Sequence, residues 1–157
     1  MIGGFFETHW SVNPHWMLAS TQLADGHPIT RGVEPFEIQD EWYYHMRFRD
    51  GDDRVVPILT AVPPDATRER PDGPHSNNPT VRAKKGSREV LAWAYDRPDG
   101  GRGFGCTGAH FHRNFGDEQF RKLMLNAIAW TAGLDVPESG IVSKISDDEL
   151  AANLDPK

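Results

Sequence analysis

His110 and His112 stand two residues apart at the end of a glycine-rich, half-apolar run, Gly101-Arg-Gly-Phe-Gly-Cys-Thr-Gly-Ala-His-Phe-His-Arg-Asn-Phe115. Side chains two apart on a strand share a face, so both imidazoles could ligate one divalent metal ion. Ligation needs a third group, and His9 and Glu41 are the candidates. The competing reading is structural, because buried histidine rings commonly donate to backbone carbonyls. Glu41 lies in Asp40-Glu-Trp-Tyr43, two acids beside two aromatic rings. A carboxylate against apolar rings is pushed toward the general acid/base range. An aromatic face is also what the C–H surface of a sugar packs on, so Trp42 and Tyr43 are expected to form a substrate-stacking wall. The alternative is a strand end whose carboxylates are solvated while its rings belong to the core. His27, before Pro28, reads as a turn residue holding a backbone group or, second, as a substrate contact. His45 and His75 read as surface positions. Cys106 lies within a strand and lacks the sharp strand–helix elbow of a nucleophile, so it reads as a small buried hydrophobe.

The elements that must position these groups follow from patterning. Phe36 to Phe48 alternates as a strand, with Phe36, Ile38 and Asp40 on one side and Glu37, Gln39 and Glu41 on the other. Arg54 to Val62 is a near-continuous apolar run and reads as a buried strand, with Pro57 demanding an edge or a bulge. Glu89 to Tyr95 is a second strand, and Asp99-Gly-Gly101 turns it into a third over Arg102–Thr107. The proline-rich stretch 63–88 reads as a long functional or poorly ordered loop. Asp117 is placed to cap a helix that runs to about Ala132 and ends at Gly133. Its core-facing stripe is Phe120, Leu123, Met124, Ala127, Ile128 and Thr131. The acidic tail 137–157 is expected to be a short helix or disordered.

Composition narrows the partners. A chain of 157 residues suggests one domain with a core that folds without staples. The net charge of −6 argues against nucleic acid, whose phosphates need a basic face. No apolar run reaches the roughly 18 residues of a membrane span. The opening Met1-Ile-Gly-Gly-Phe-Phe lacks the basic leader of a signal peptide, which favours the cytoplasm by default. The single cysteine excludes an internal disulfide.

An ordered series of short motifs carries a resemblance: Gly3-Gly-Phe-Phe-Glu-Thr-His9, His27-Pro-Ile-Thr-Arg-Gly32, Phe36-Glu-Ile-Gln-Asp-Glu-Trp-Tyr43, Ala92-Trp93, Gly101-Arg-Gly-Phe104, Gly108-Ala-His110, and Phe120 to Gly133 with Asn126-Ala-Ile-Ala-Trp130. Over residues 3–133 the chain resembles the C-terminal part of a trehalose-utilisation (ThuA-like) domain. The resemblance implies a flavodoxin-like, three-layer α/β sandwich with a mostly parallel or mixed sheet, related to class I glutamine amidotransferases. In that family further strand–helix units precede the Gly-Gly-Phe segment, so the chain is expected to be N-terminally truncated. The amidotransferase nucleophile would fall before residue 1, so glutamine amidotransferase chemistry is not expected.

The resemblance also places His9 near the pocket of His110. The expected site therefore has His110, Glu41 and His9 as catalytic groups around one cleft. Trp42, Tyr43, His112 and His27 are expected to contact a small carbohydrate, and His9, His110 and His112 to hold a divalent metal ion if one is used. The expected function is acid/base or metal-assisted chemistry on a sugar or oxidised sugar, with hydrolase, lyase and isomerase reactions all open. The rival reading is a non-catalytic sugar-binding or protein-interaction module. A sheet left open by truncation would expose apolar surface near Phe5, Phe6, Trp10 and residues 90–95, and predicts self-association into a homo-oligomer.

Overall fold

The computed structural model describes residues 2–19 and 21–152. Residues 153–157 of the expected tail lie outside them. In chain order the strands are β1 (Gly4–Phe5), β2 (Trp16–Leu18), β3 (Gln22–Leu23), β4 (Ile38–Asp40), β5 (Arg47–Phe48), β6 (Val55–Ala61), β7 (Glu89–Asp96) and β8 (Arg102–Cys106). The helices are α1 (Pro79–Ala83), α2 (Glu118–Thr131) and α3 (Asp147–Ala151). Four strands form the main sheet in the order β3-β6-β7-β8, and two smaller pairs, β1-β5 and β2-β4, stand beside it.

Every strand pairing among the described residues is antiparallel. This mixed α/β architecture corrects the expectation of a flavodoxin-like parallel sheet. A parallel neighbour needs a crossover of a dozen or more residues, usually a helix. Here β7 returns directly as β8 through a tight turn, in which Arg97 N–H donates to the Gly101 carbonyl (2.8 Å) and Gly100 has φ +80°. The one long helix, α2, follows the last strand and so connects no two strands. Pro57 sits at a register shift in the β6–β7 ladder, which removes its missing N–H from the hydrogen-bonding pattern.

The smaller β2–β4 ladder carries the register that matters for the site. Trp16 pairs with Asp40, Met17 with Gln39 and Leu18 with Ile38. Trp16, Leu18, Ile38 and Asp40 face inward, while Met17 and Gln39 face out. Beyond the ladder, Val12 bridges Tyr44 in the same antiparallel register.

Helix α2 begins where Asp117 accepts from Phe120 N–H (2.8 Å) and ends before Gly133 at φ +78°. Phe120, Leu123 and Ala127 are buried, but Ile128 is 62% exposed, which corrects its place in the core stripe. Asn126 and Trp130 take the inward positions instead. The Asn126 amide donates to the carbonyls of Ile29 and Arg31 (both 3.0 Å), and its oxygen accepts from Ile141 N–H (2.8 Å). The chain beyond Val136 thus lies along α2, and Ser146 and Glu149 cap α3 reciprocally.

The stretch 63–88 is ordered rather than a loose loop. Arg68 is 1% exposed; it donates to the Val81 carbonyl (2.8 Å) and to Glu89 (3.1 Å), and its guanidinium lies 4.8 Å from the Tyr44 ring centre. Asn77 donates to the carbonyls of Arg68 and Arg70. His45, expected at the surface, is buried in this cluster: its ring stacks on Trp10 at 4.4 Å, and its backbone has φ +58°. Burial, with Lys84, Arg68 and Arg47 nearby, holds its pKa down at about 4. Phe5 is exposed as expected, but strand β7 is covered along almost its whole length, so the open apolar face predicted around residues 90–95 is not there.

Two outcomes follow. Phe120→Ala should cost about 3–5 kcal/mol in a denaturant melt, because the ring is fully buried. His45 has a folded-state pKa below its unfolded value, so its neutral form is the one that folds. Its contribution is constant above pH ~6.5 and is lost as pH falls toward about 4, by roughly 3 kcal/mol in all. Stability measured across that window should fall less steeply in His45→Gln than in the parent chain.

Candidate functional site

The site is assembled by a carboxylate that never reaches solvent. Asp40 is fully buried and accepts from the backbone N–H groups of Ala109 (2.9 Å), His110 (3.1 Å) and Phe111 (3.3 Å). The Asn114 side chain adds a fourth donor at 2.8 Å, and Glu41 N–H a fifth at 2.7 Å. Three consecutive N–H groups can converge on the two oxygens of one carboxylate only if the backbone curls, and Ala109 does so at φ +75°. Just before it, Gly108 lies against the Trp42 ring, where an added Cβ would come within 2.4 Å. The loop after β8 is therefore fixed onto the end of β4 by one charge and one flat ring.

On top of this floor the strand register brings three segments together. Continuing the 16↔40 and 12↔44 pairings sets His15 across from Glu41 and Asn13 across from Tyr43. Glu41 Oε2 lies 2.9 Å from His110 Nδ1, and its Oε1 lies 3.8 Å from His15 Nε2. Asn13 donates its amide to Oε1 (2.8 Å) and the Tyr43 hydroxyl donates to Oε2 (3.3 Å). Burial and the neighbouring Glu41 charge push the Tyr43 pKa up, which keeps the hydroxyl a donor. The Glu41 side chain is only 11% exposed, whereas those of His15 and His110 are about half exposed, at 48% and 51%. The two rings lie 5.6 Å apart and both contact Phe111.

His110 also lines a cleft of about 470 Å3, whose walls include Phe6, Tyr43, Trp93, Cys106 and Thr107. Phe6 and Tyr43 meet edge to face at 5.5 Å. Thr107 is 7% exposed, and its hydroxyl is buried with no partner among the described residues. Burial pushes the Cys106 thiol up to about 12, which disfavours the thiolate form a nucleophile needs.

Of the residues singled out in the sequence, the structure brings together Glu41, His110 and Tyr43. Trp42 is fully buried beneath Gly108 and cannot stack on a ligand; in the extended chain its ring points inward while Tyr43 points out. His112 does not share a face with His110. Strand β8 ends at Cys106 and the chain turns at Ala109, so His112 falls in a 3-10 turn and bonds the Leu150 carbonyl (2.8 Å). His9 is exposed on a turn at φ +64°, tied through its N–H to the Pro74 carbonyl, and lies outside both the Glu41 group and the cleft wall. His27 caps the 3-10 turn Pro28–Thr30, its Nδ1 accepting from Ile29 N–H, and its ring packs edge-on against Trp130. The residues that sequence reasoning missed are His15 and Asn13. Their only signal is indirect: they precede the buried alternation of Trp16 and Leu18, whose pairing partner a single strand cannot name.

The chain belongs to the ThuA family, described as trehalose utilisation, whose model matches residues 1–131. That membership ties it to carbohydrate metabolism and spans every residue of the site. No curated protein and no solved structure matches the chain. Among the described residues, no helix is long and apolar enough to cross a membrane.

Removing the central acceptor should be costly. Asp40→Ala strands four backbone donors and the Asn114 amide, and a buried donor left unpaired costs about 1–3 kcal/mol. A loss of at least about 3 kcal/mol is expected in a denaturant melt, with Asp40→Asn intermediate because one carbonyl acceptor survives. A loss within error of zero for both variants would mean that the 109–111 loop is held by something else.

Proposed function

We propose that this chain acts on a sugar or oxidised sugar at the centre formed by Glu41, His110 and His15, with proton transfer as its basic chemistry. The observation that carries the reading is the 2.9 Å contact between Glu41 and His110 at the mouth of an aromatic-walled cleft, in a chain of the ThuA family. A carboxylate on one imidazole nitrogen fixes the tautomer and frees the other nitrogen to take or give a proton. His110, which reaches the cleft, is the proton-transfer group; Glu41 is the positioning residue behind it, itself oriented by Asn13 and Tyr43. Phe6 and Tyr43 supply aromatic ring surface on which a pyranose C–H face packs.

The test is a panel of trehalose, glucose and their keto and aldonic derivatives, followed by NMR for binding and for conversion. Turnover of a panel member should fall about 100-fold or more in His110→Ala, the usual scale for a lost acid/base group. Glu41→Gln should shift the pH profile of kcat as well as its height, which a merely structural role would not do. Sugar binding without turnover, weakened by Tyr43→Ala but indifferent to Glu41→Gln, would instead identify a binding module.

A further inference from the structure

We propose that His15, Glu41 and His110 form a binding site for a divalent transition-metal ion of the zinc type. This deepens the reading of the same centre given above, and rests on it only for what the ion would do to a sugar. Binding of the ion itself is independent of any substrate.

The argument begins with donor chemistry. One ligand atom from each of the three residues lies within 4.8 Å of the other two. Around a single ion with bonds of about 2.0–2.2 Å, tetrahedral ligands stand roughly 3.4 Å apart. His110 Nδ1 lies 2.9 Å from Glu41 Oε2 and His15 Nε2 lies 3.8 Å from Oε1, so the carboxylate stands between the two rings with one oxygen toward each. Two imidazoles with one carboxylate is a donor set for zinc, iron or cobalt; calcium and magnesium prefer an all-oxygen shell.

The supporting shell is already built. Ligating carboxylates are oriented by outer hydrogen bonds, and here Asn13 donates to Glu41 Oε1 and the Tyr43 hydroxyl to Oε2. His110 is aimed by its backbone, which Asp40 fixes through three N–H groups. The three ligands come from three segments of the chain, so folding and metal binding are coupled. Three protein ligands also leave a coordination position open, as in catalytic rather than structural zinc sites. Both imidazoles are half exposed and His110 borders the cleft, so that position is reachable from solvent. Such an ion would be held by His15, Glu41 and His110, and the chemistry it would supply is a lowered pKa for a water on its open position.

The experiment titrates tag-free, chelator-treated protein with Co2+ and reads the visible d–d absorption, with no sugar present. One equivalent should bind with an intense spectrum typical of four or five ligands and be displaced by Zn2+. His15→Ala and His110→Ala should each weaken Co2+ binding by more than tenfold, and Asn13→Ala by about 10–100-fold as a supporting residue. His9→Ala and His112→Ala should leave binding unchanged, and circular dichroism should confirm that every variant is folded. A weak aqua-ion spectrum at excess Co2+, or equal binding by parent and the folded His15→Ala/His110→Ala double variant, would overturn the proposal. Either result leaves the proton-transfer reading to its own sugar panel. Conversely, tight Co2+ binding with no sugar response would retain the metal site and remove the substrate assignment.

Discussion

The buried carboxylate of Asp40 is the constraint on which the rest of the site depends. It gathers the N–H groups of three successive residues from a loop about seventy positions away in the chain, and adds the Asn114 side chain. A charge taken out of water is tolerated only when its hydrogen bonds are fully replaced. Replacing them here forces the loop after β8 to curl over the end of β4. The left-handed backbone of Ala109, a conformation that costs an ordinary residue about 1 kcal/mol or more, is what that convergence demands. His110 stands over Glu41 because its own backbone has no other place to go.

The two acids of Asp40-Glu41 therefore divide their work by the pleat of one strand. Asp40 points into the core and holds structure, while Glu41 points toward His15 and His110. The aromatic pair beside them divides in the same way. Trp42 is the floor under Gly108, and Tyr43 reaches the carboxylate and the cleft. Four consecutive residues thus supply a structural anchor, a carboxylate set between two imidazoles, a support and a cleft wall.

Register does the remaining assembly. The pairing that puts Trp16 opposite Asp40 carries His15 to Glu41 and Asn13 to Tyr43. A slip of one residue would turn His15 and Asn13 to the other face and bring Pro14 and Trp16 outward. The burial of Trp16, Leu18 and Ile38 resists that slip, so ordinary core packing also fixes the site.

What the chain reveals without coordinates is local. The capped helix over 118–131, the strand at 89–96, the tight turn at Gly100, the bulge at Pro57 and the alternation of Phe36, Ile38 and Asp40 each follow from patterns within a few residues. Glu41, His110 and Tyr43 were legible as chemistry-bearing groups for the same reason: acids, imidazoles and rings sit at strand ends. Tertiary structure alone decided which of them meet. It set His15 rather than His9 beside Glu41, turned His112 away to Leu150, sank Trp42 and His45 into the core and made every pairing among the described residues antiparallel. Those outcomes depend on which strand pairs with which and in what register, and on where a buried charge finds its donors. Both are contacts between residues distant in the chain, and no local pattern encodes a partner that far away.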